Sequence, residues 1–341
     1  MKICICGGGN LGHVVAGYIA SQQRYEVGLL TRHPDRWSHV LQVDTPSGQT
    51  LQGCLACITD RPETIIPQAD MILLCLPGFS IASVLQTIRP YLRRQTIVGS
   101  IVSSTGFFFE AFNILPLSTT LFGFQRVPFI ARTVEYGQRA SLLGSKPHLQ
   151  IAVERGDERK EEIRITVQAL FDTPVSVLKN HYEVSLTNSN PLLHTSRLYQ
   201  LWKNWRPTTV YPDVPRFYSD WTEEAARLYI AMDQELQLLL RKLNVTPGAI
   251  PTVLDYYESS NAADLARKLR SIVAFQGIAA PMRAVDGGYE PDFGSRYFTE
   301  DFPYGLGIVW RLAHEQQVCV PTIDRVYCWG MEQLRYQPND K

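Results

Sequence analysis

The chain contains no apolar run near the ~18–20 residues of a membrane span, so its 45% hydrophobic content belongs in a folded core. It has no charge imbalance, since 33 basic residues offset 33 acidic ones. Without a basic or acidic surplus, neither nucleic acid nor an anionic membrane is expected as a partner. No low-complexity tract and no internal repeat is visible, and the composition is that of an ordinary globular protein. An even cysteine count is also missing. Seven scattered cysteines, some in expected strands, suit reduced thiols in a cytoplasm better than a disulfide framework. Cys54-Leu55-Ala56-Cys57 has no second C-x-x-C to complete a zinc site and no helix start to activate a thiol. No metal site is expected, and the pair reads as packed thiols in one strand from Thr50 to Thr59. The N-terminus does not read as a signal peptide, because its first helix begins inside a glycine loop.

That loop is the most informative stretch. Gly7-Gly8-Gly9-Asn10-Leu11-Gly12 follows the apolar strand Lys2 to Cys6 and opens a helix from Leu11 to Ser21. Strand, glycine turn and helix are the context in which G-x-G-x-x-G signals a dinucleotide site. Gly7 serves the tight turn, Gly9 the approach to a pyrophosphate, and Gly12 close helix–strand packing. The free N–H groups of the first helical turn, from Asn10 and Leu11 onward, face the phosphates. The second strand, Tyr25 to Leu30, ends in Thr31-Arg32-His33 with no carboxylate before Asp35. A carboxylate there would select NAD, whereas an arginine accommodates the 2′-phosphate of NADP. Arg32, helped by Arg36, therefore points to NADP, with NAD as the alternative if Arg32 is only a solvated loop cation. A buried strand from Ala69 ends at Leu76-Pro77, and both residues are placed at the cofactor.

Buried strands at residues 96–102, 121–124 and 148–153 alternate with helical stretches at 81–92 and 158–171, which argues for a parallel sheet covered on both faces. At 341 residues two domains are expected. The reading is α/β: a Rossmann dinucleotide-binding domain over residues 1–179 and a mostly α-helical domain over 180–341. The second holds an apolar stretch from His181 to Trp202 interrupted at Pro191, and helices at 221–243, 261–274, 304–315 and 323–334. Asp220 and Glu223 are spaced for a capping box on the 221–243 helix.

Two strings in the second half are specific: Ser189-Asn190-Pro191-Leu192-Leu193-His194, and Arg296-Tyr297-Phe298-Thr299-Glu300-Asp301-Phe302-Pro303-Tyr304-Gly305-Leu306. With the N-terminal glycine loop and Val127-Pro128-Phe129-Ile130-Ala131-Arg132, they resemble the opine dehydrogenase family, which includes octopine and nopaline dehydrogenases. The resemblance runs in order along nearly the whole chain. It implies joining an amino acid to a 2-oxo acid and reducing the resulting imine with NAD(P)H. It also implies that His194 is the acid/base, Asp301 its carboxylate partner, and Arg296 the holder of a substrate carboxylate. Thr195 departs from the proline usual after the histidine, and the chain is shorter than typical octopine dehydrogenases.

The residue types suit that chemistry independently. A histidine titrates nearest neutrality, a carboxylate on its second nitrogen fixes its tautomer, and an arginine grips a carboxylate with two bonds. Plainer readings exist for each. His194 fits a structural histidine, Arg296 and Asp301 a capping ion pair, and Asn190 either a ligand of nicotinamide or substrate or a partner for backbone opened by Pro191. The expected partners are small molecules, an amino acid and a 2-oxo acid, and a homodimer is compatible. The alternatives are a ketopantoate-reductase-like 2-oxo acid reductase, using Lys179 or Lys203, and a non-catalytic NADP-binding sensor.

Overall fold

A computed structural model describes residues 1–335; residues 336–341, included above in the second domain, lie outside the described residues. Contacts divide the chain into two compact units, Met1–Thr187 and a second that begins at Asn188. The segment after residue 179 stays with the first unit because the His181 backbone and ring nitrogens both bond Glu154, each at 2.8 Å.

The strands are β1 (Lys2–Cys6), β2 (Glu26–Leu30), β3 (Val40–Asp44), β4 (Thr50–Cys54), β5 (Cys57–Thr59), β6 (Met71–Leu74), β7 (Ile97–Ser100), β8 (Thr120–Phe124), β9 (Phe129–Glu135), β10 (Arg139–Ser145), β11 (Leu149–Glu154), β12 (Val175–Val177), β13 (Met282–Val285) and β14 (Gly288–Pro291). The first unit holds an eight-stranded sheet in the order β12-β11-β8-β7-β6-β1-β2-β5. Every neighbour is parallel except β11 on β8. The fully buried runs of β6 and β7 are what a sheet covered on both faces requires. The chain leaves β1 for β2 on one side and resumes at β6 on the other. The carboxyl end of β1 is thus a topological switch point, the usual place for a ligand in such sheets.

A second sheet, ordered β4-β3-β10-β9, is absent from the sequence reading. It packs on the Asn10–Ser21 helix. Gly17 and Gly53 permit the close approach: a Cβ at Gly17 would stand 2.6 Å from Val43 Cγ2, and one at Gly53 would stand 2.3 Å from the Gly17 oxygen. This sheet corrects the single strand expected over Thr50 to Thr59. Those residues form two strands in two sheets, Cys54 ending β4 and Cys57 opening β5. Cys54 is exposed, so only Cys57 is partly packed.

Two side chains of the glycine-loop helix bolt the second sheet to the loop. Asn10 Oδ1 accepts from the Thr133 N–H at 2.9 Å. His13 Nε2 accepts from the Gly137 N–H at 2.7 Å, and the opposite nitrogen lies 2.9 Å from the Gly9 oxygen. Because Nε2 is an acceptor, Nδ1 must carry the hydrogen and donate it to Gly9. The ring stacks on Trp37 with centroids 4.0 Å apart and meets the edge of Tyr136. Burial depresses the His13 pKa below its ordinary 6.5, against the opposing pull of the Gly9 carbonyl.

The second unit is helical, with one small hairpin, β13–β14. Its main helices are Asn190–Trp202, Glu223–Lys242, Ala262–Ser271, Gly307–Glu315 and Pro321–Arg335. Trp202, Phe217, Trp221, Phe298 and Phe302 are fully buried. The stretch expected from His181 to Trp202 is two helices, His181–Ser185 and Asn190–Trp202. Pro191 lies in the first turn of the second, where its missing N–H costs nothing. The expected capping box is not formed. Thr222 caps the Glu223–Lys242 helix by accepting from the Ala225 N–H at 3.1 Å, and Asp220 instead accepts from the Arg216 N–H. Among the described residues no helix is long and apolar enough to cross a membrane.

Two expectations follow. The unfolded chain takes up a proton that native His13 refuses, so the first unit loses stability as pH falls below 6.5. His13→Phe keeps the stack on Trp37 but should remove that part of the slope and loosen the β9–β10 hairpin. Urea midpoints on either side of pH 6.5 and hydrogen exchange at Gly137 read both effects; an unchanged slope contradicts them. In the second unit, buried Glu235 accepts from the Thr322 and Ile323 N–H groups at 2.8 and 2.9 Å, capping the Pro321–Arg335 helix. Glu235→Ala strands both donors and should cost about 2 kcal/mol. Thermal unfolding of the variant should show the second unit melting several degrees early, and an unmoved transition rejects the capping role.

Candidate functional site

In the first unit the switch point gathers residues from the ends of β1, β2, β5 and β6. The Gly7 N–H donates to the Leu30 oxygen, the Cys75 N–H to Cys6, and the Thr31 N–H to Thr59. Gly7 has φ +119°, and a Cβ on it would meet the Cys75 oxygen at 2.5 Å and Leu76 at 3.0 Å. Only glycine fits there. A Cβ on Gly12 would stand 2.0 Å from the Gly7 oxygen, which is the close helix–strand packing expected of it. Gly9 is the N-cap residue and makes no side-chain cap; space is open where its Cβ would be.

The open space above Gly9 adjoins the uncapped first turn of the Asn10–Ser21 helix, whose N–H groups have no intrahelical acceptor. This cradle suits a pyrophosphate. Pro77 is the N-cap of the Gly78–Ile88 helix, just past β6. Buried Thr31, with Trp37 and Tyr136, closes on Gly8: each has an atom 3.0 Å from where a Cβ would stand. Arg32 is exposed, and Arg36 lies over the Tyr136 ring at 4.5 Å. The Asn10 side chain is spent on Thr133, which leaves the backbone N–H expected to face a phosphate. Trp37 and Tyr136 were missed. They lie outside the glycine pattern and reach the loop only through the second sheet.

In the second unit, two strings more than a hundred residues apart interlock. A Cβ on Gly305 would lie 2.7 Å from Pro191 Cγ, so the glycine lets the Phe302–Leu306 turn rest on the first turn of the Asn190–Trp202 helix. That turn is wide, with the Leu306 N–H donating to the Asp301 oxygen at 2.7 Å. The result places Asp301 Oδ2 2.7 Å from His194 Nδ1. Thr195, in place of the usual proline, bonds its hydroxyl to the Pro191 oxygen, and the helix continues regularly.

His194 Nε2 lies 2.9 Å from the Tyr218 hydroxyl. With Nδ1–H donated to Asp301, Nε2 is the nitrogen that faces the Tyr218 hydroxyl. Tyr297 packs against the imidazole edge, centroids 4.8 Å apart. Burial, then the neighbouring Tyr297 and Tyr257 hydroxyls and the Asp301 charge, push the Tyr218 phenol far above its ordinary range. Arg197, one turn beyond His194 and only 1% exposed, donates to the backbone oxygens of Arg216, Phe217 and Asp220. Burial lowers its pKa to about 10, which leaves it charged at neutral pH. It fixes the loop that carries Tyr218. Sequence reasoning includes Phe217-Tyr218 in the family resemblance but gives neither Tyr218 nor Arg197 a role, because their partners are distant in the chain.

Arg296 and Asp301 do not form the capping pair considered above. Arg296 forks onto Glu300, with Nε–Oε1 at 2.8 Å and Nη2–Oε2 at 2.6 Å, and its side chain is 81% exposed. Asn190 is exposed at the helix start, and its backbone N–H is taken by Asn188. Among the described residues no cluster of His, Cys, Asp and Glu suits a metal ion.

Comparison with known proteins agrees in both units. Residues 177–334 match the family described as NAD/NADP octopine/nopaline dehydrogenase, alpha-helical domain, and residues 3–125 match ketopantoate reductase PanE/ApbA. Octopine dehydrogenase of Pecten maximus is 28% identical, over 98% of this chain and 90% of its own. Opine dehydrogenase of Haliotis discus hannai is 28% identical with the same coverage. A solved octopine dehydrogenase holding NADH and L-arginine superimposes with a TM-score of 0.88 at 26% identity, over 98% of this chain and 89% of that one. Likeness of sequence and fold thus runs over nearly the whole length, and the helical unit matches that of the octopine/nopaline dehydrogenases: the chain is similar throughout to NAD(P)-dependent opine dehydrogenases.

Proposed function

We propose that this protein is an opine dehydrogenase. It condenses the amino group of an amino acid with a 2-oxo acid and reduces the imine to a secondary amine, using NADPH in preference to NADH. The observation that carries the reading is the His194 imidazole, tautomer-fixed by Asp301, with its other nitrogen on a hydroxyl. Condensation and reduction both move protons. An amine must lose one to attack a carbonyl, the carbonyl oxygen must gain protons to leave as water, and the reduced nitrogen takes one. A bound nicotinamide supplies the hydride.

The remaining roles follow from the chemistry of each group. Gly7, Gly9 and Gly12, with the backbone of Asn10 and Leu11, hold the pyrophosphate, and Leu76 and Pro77 border the cofactor from the end of β6. Thr31 meets the adenosine ribose, and exposed Arg32 with Arg36 takes its 2′-phosphate. Arg296 exchanges its Glu300 fork for a substrate carboxylate, and Asn190 hydrogen-bonds substrate or nicotinamide. A ketopantoate-reductase-like mechanism needs a free lysine in the helical unit. Lys203 there is paired with Glu224 at 2.6 Å, which disfavours it.

Two expectations test the reading. NADPH should bind more tightly than NADH, and Arg32→Ala should weaken NADPH by roughly tenfold to a hundredfold, the worth of one charge-assisted contact, while leaving NADH nearly unchanged. Equal affinities in the unmodified protein, measured by fluorescence titration, reject NADP selection. NADPH oxidation should require an amino acid and a 2-oxo acid together, and His194→Gln should lower turnover by about 10²–10⁴-fold with cofactor binding intact. Rapid oxidation with an oxo acid alone would falsify the opine reading in favour of a simple reductase.

A further inference from the structure

The imidazole proposed as acid and base has no nitrogen left to offer a substrate. Nδ1 is 2.7 Å from Asp301, Nε2 is 2.9 Å from the Tyr218 hydroxyl, and the residue is 9% exposed. Direct contact between His194 and a reacting nitrogen therefore requires Tyr218 to move aside. The structure opposes this in three ways. The Tyr218 ring is stacked on Phe275 at 4.1 Å and 19° and lies nearly parallel to Trp221. Its backbone oxygen accepts from the Trp221 N–H. The loop on either side is gripped by buried Arg197, which stands on the same helix as His194.

We propose that Tyr218 is not displaced but relays the proton between His194 Nε2 and the substrate nitrogen. The proposal rests on the opine reading above and adds a residue to it. With imidazole neutral, the single Tyr218 hydrogen points to Nε2. With imidazole protonated, Nε2–H donates to the Tyr218 oxygen, and the phenol's own hydrogen is released toward substrate. In the reductive step the imine carbon accepts the hydride and the imine nitrogen accepts the Tyr218 proton. The Tyr218 oxygen takes the proton from Nε2, and His194 is left neutral with Nδ1–H still on Asp301. The C=N bond is reduced to an amine, the cofactor is oxidised by two electrons, and the phenol ends as it began. Tyr218 never has to carry a full negative charge, which its burial beside Asp301 would penalise.

The test is Tyr218→Phe, which keeps the stacked ring and removes only the hydroxyl. In the unmodified protein, ¹⁵N spectra of the histidine ring, recorded without cofactor, should show Nε2 as a hydrogen-bonded acceptor, and the variant should lose that signature. Turnover should fall about 10²-fold and its pH profile should shift, with NADPH affinity unchanged and the thermal midpoint lowered by no more than one lost hydrogen bond. A merely structural role would lower the midpoint without moving the pH profile. A folded variant with full turnover means that substrate meets His194 directly, and the relay is wrong while the opine reading stands. A ring with hydrogen on Nε2 in the neutral form also overturns the relay. Absence of amino-acid-dependent turnover in the unmodified protein rejects the opine reading and the relay with it.

Discussion

The helical unit is organised around one short contact, the 2.7 Å bond between His194 and Asp301, made across 107 positions of sequence. Neither residue is placed by its own helix alone. Asp301 follows a single helical turn, Arg296–Thr299, and precedes the wide Phe302–Leu306 turn. Both are held because Gly305 admits Pro191, and because Gly330 admits the Phe302 ring, which a Cβ there would meet at 2.0 Å. Two absent side chains thus set where a carboxylate stands. An acid/base group is useful only if its geometry is fixed before substrate arrives, and here dense aromatic packing fixes it.

Arg197 and Arg296 show how differently one residue type is used in this unit. Arg197 is buried with no carboxylate against it; its cost of desolvation is offset by three backbone oxygens and the Gln200 side chain. Arg296 is in water, with its fork closed by a glutamate one turn away. The first arrangement is permanent, because removing any partner strands a buried charge. The second exchanges readily, since an exposed i,i+4 pair contributes only about 0.3–0.5 kcal/mol.

Much of the first unit was legible because its signals are local. Apolar runs such as Met71–Leu74 are buried on both faces, and the glycine loop is contiguous. The second sheet was not legible. Its strands carry exposed polar and apolar residues on one face, as in Phe129–Glu135, and turn signals interrupt them. The side-chain bonds of Asn10 and His13 to Thr133 and Gly137 were out of reach for the same reason, since their partners lie in that sheet. In the second unit His194 and Asp301 stood out because of the strings around them. Arg197 has no such string and Tyr218 only the pair Phe217-Tyr218, and the contacts of both come from tertiary neighbours. The error over Thr50 to Thr59 is instructive too, since two short strands joined by two residues have the periodicity of one.

That junction has a mechanical meaning. Leu55 and Ala56 alone separate β4 from β5, and they are pinned to the His39 and Val27 oxygens at 2.7 and 2.8 Å. The smaller sheet is therefore welded to the larger by a strap too short to flex, with Asn10 and His13 as rivets at its far corner. A wall attached this way cannot swing as a door. The wall beside the glycine loop is rigid, already shaped when folding is complete. Little ordering entropy is left for a ligand to lose there, so affinity at such a wall depends on its fit rather than on its closure.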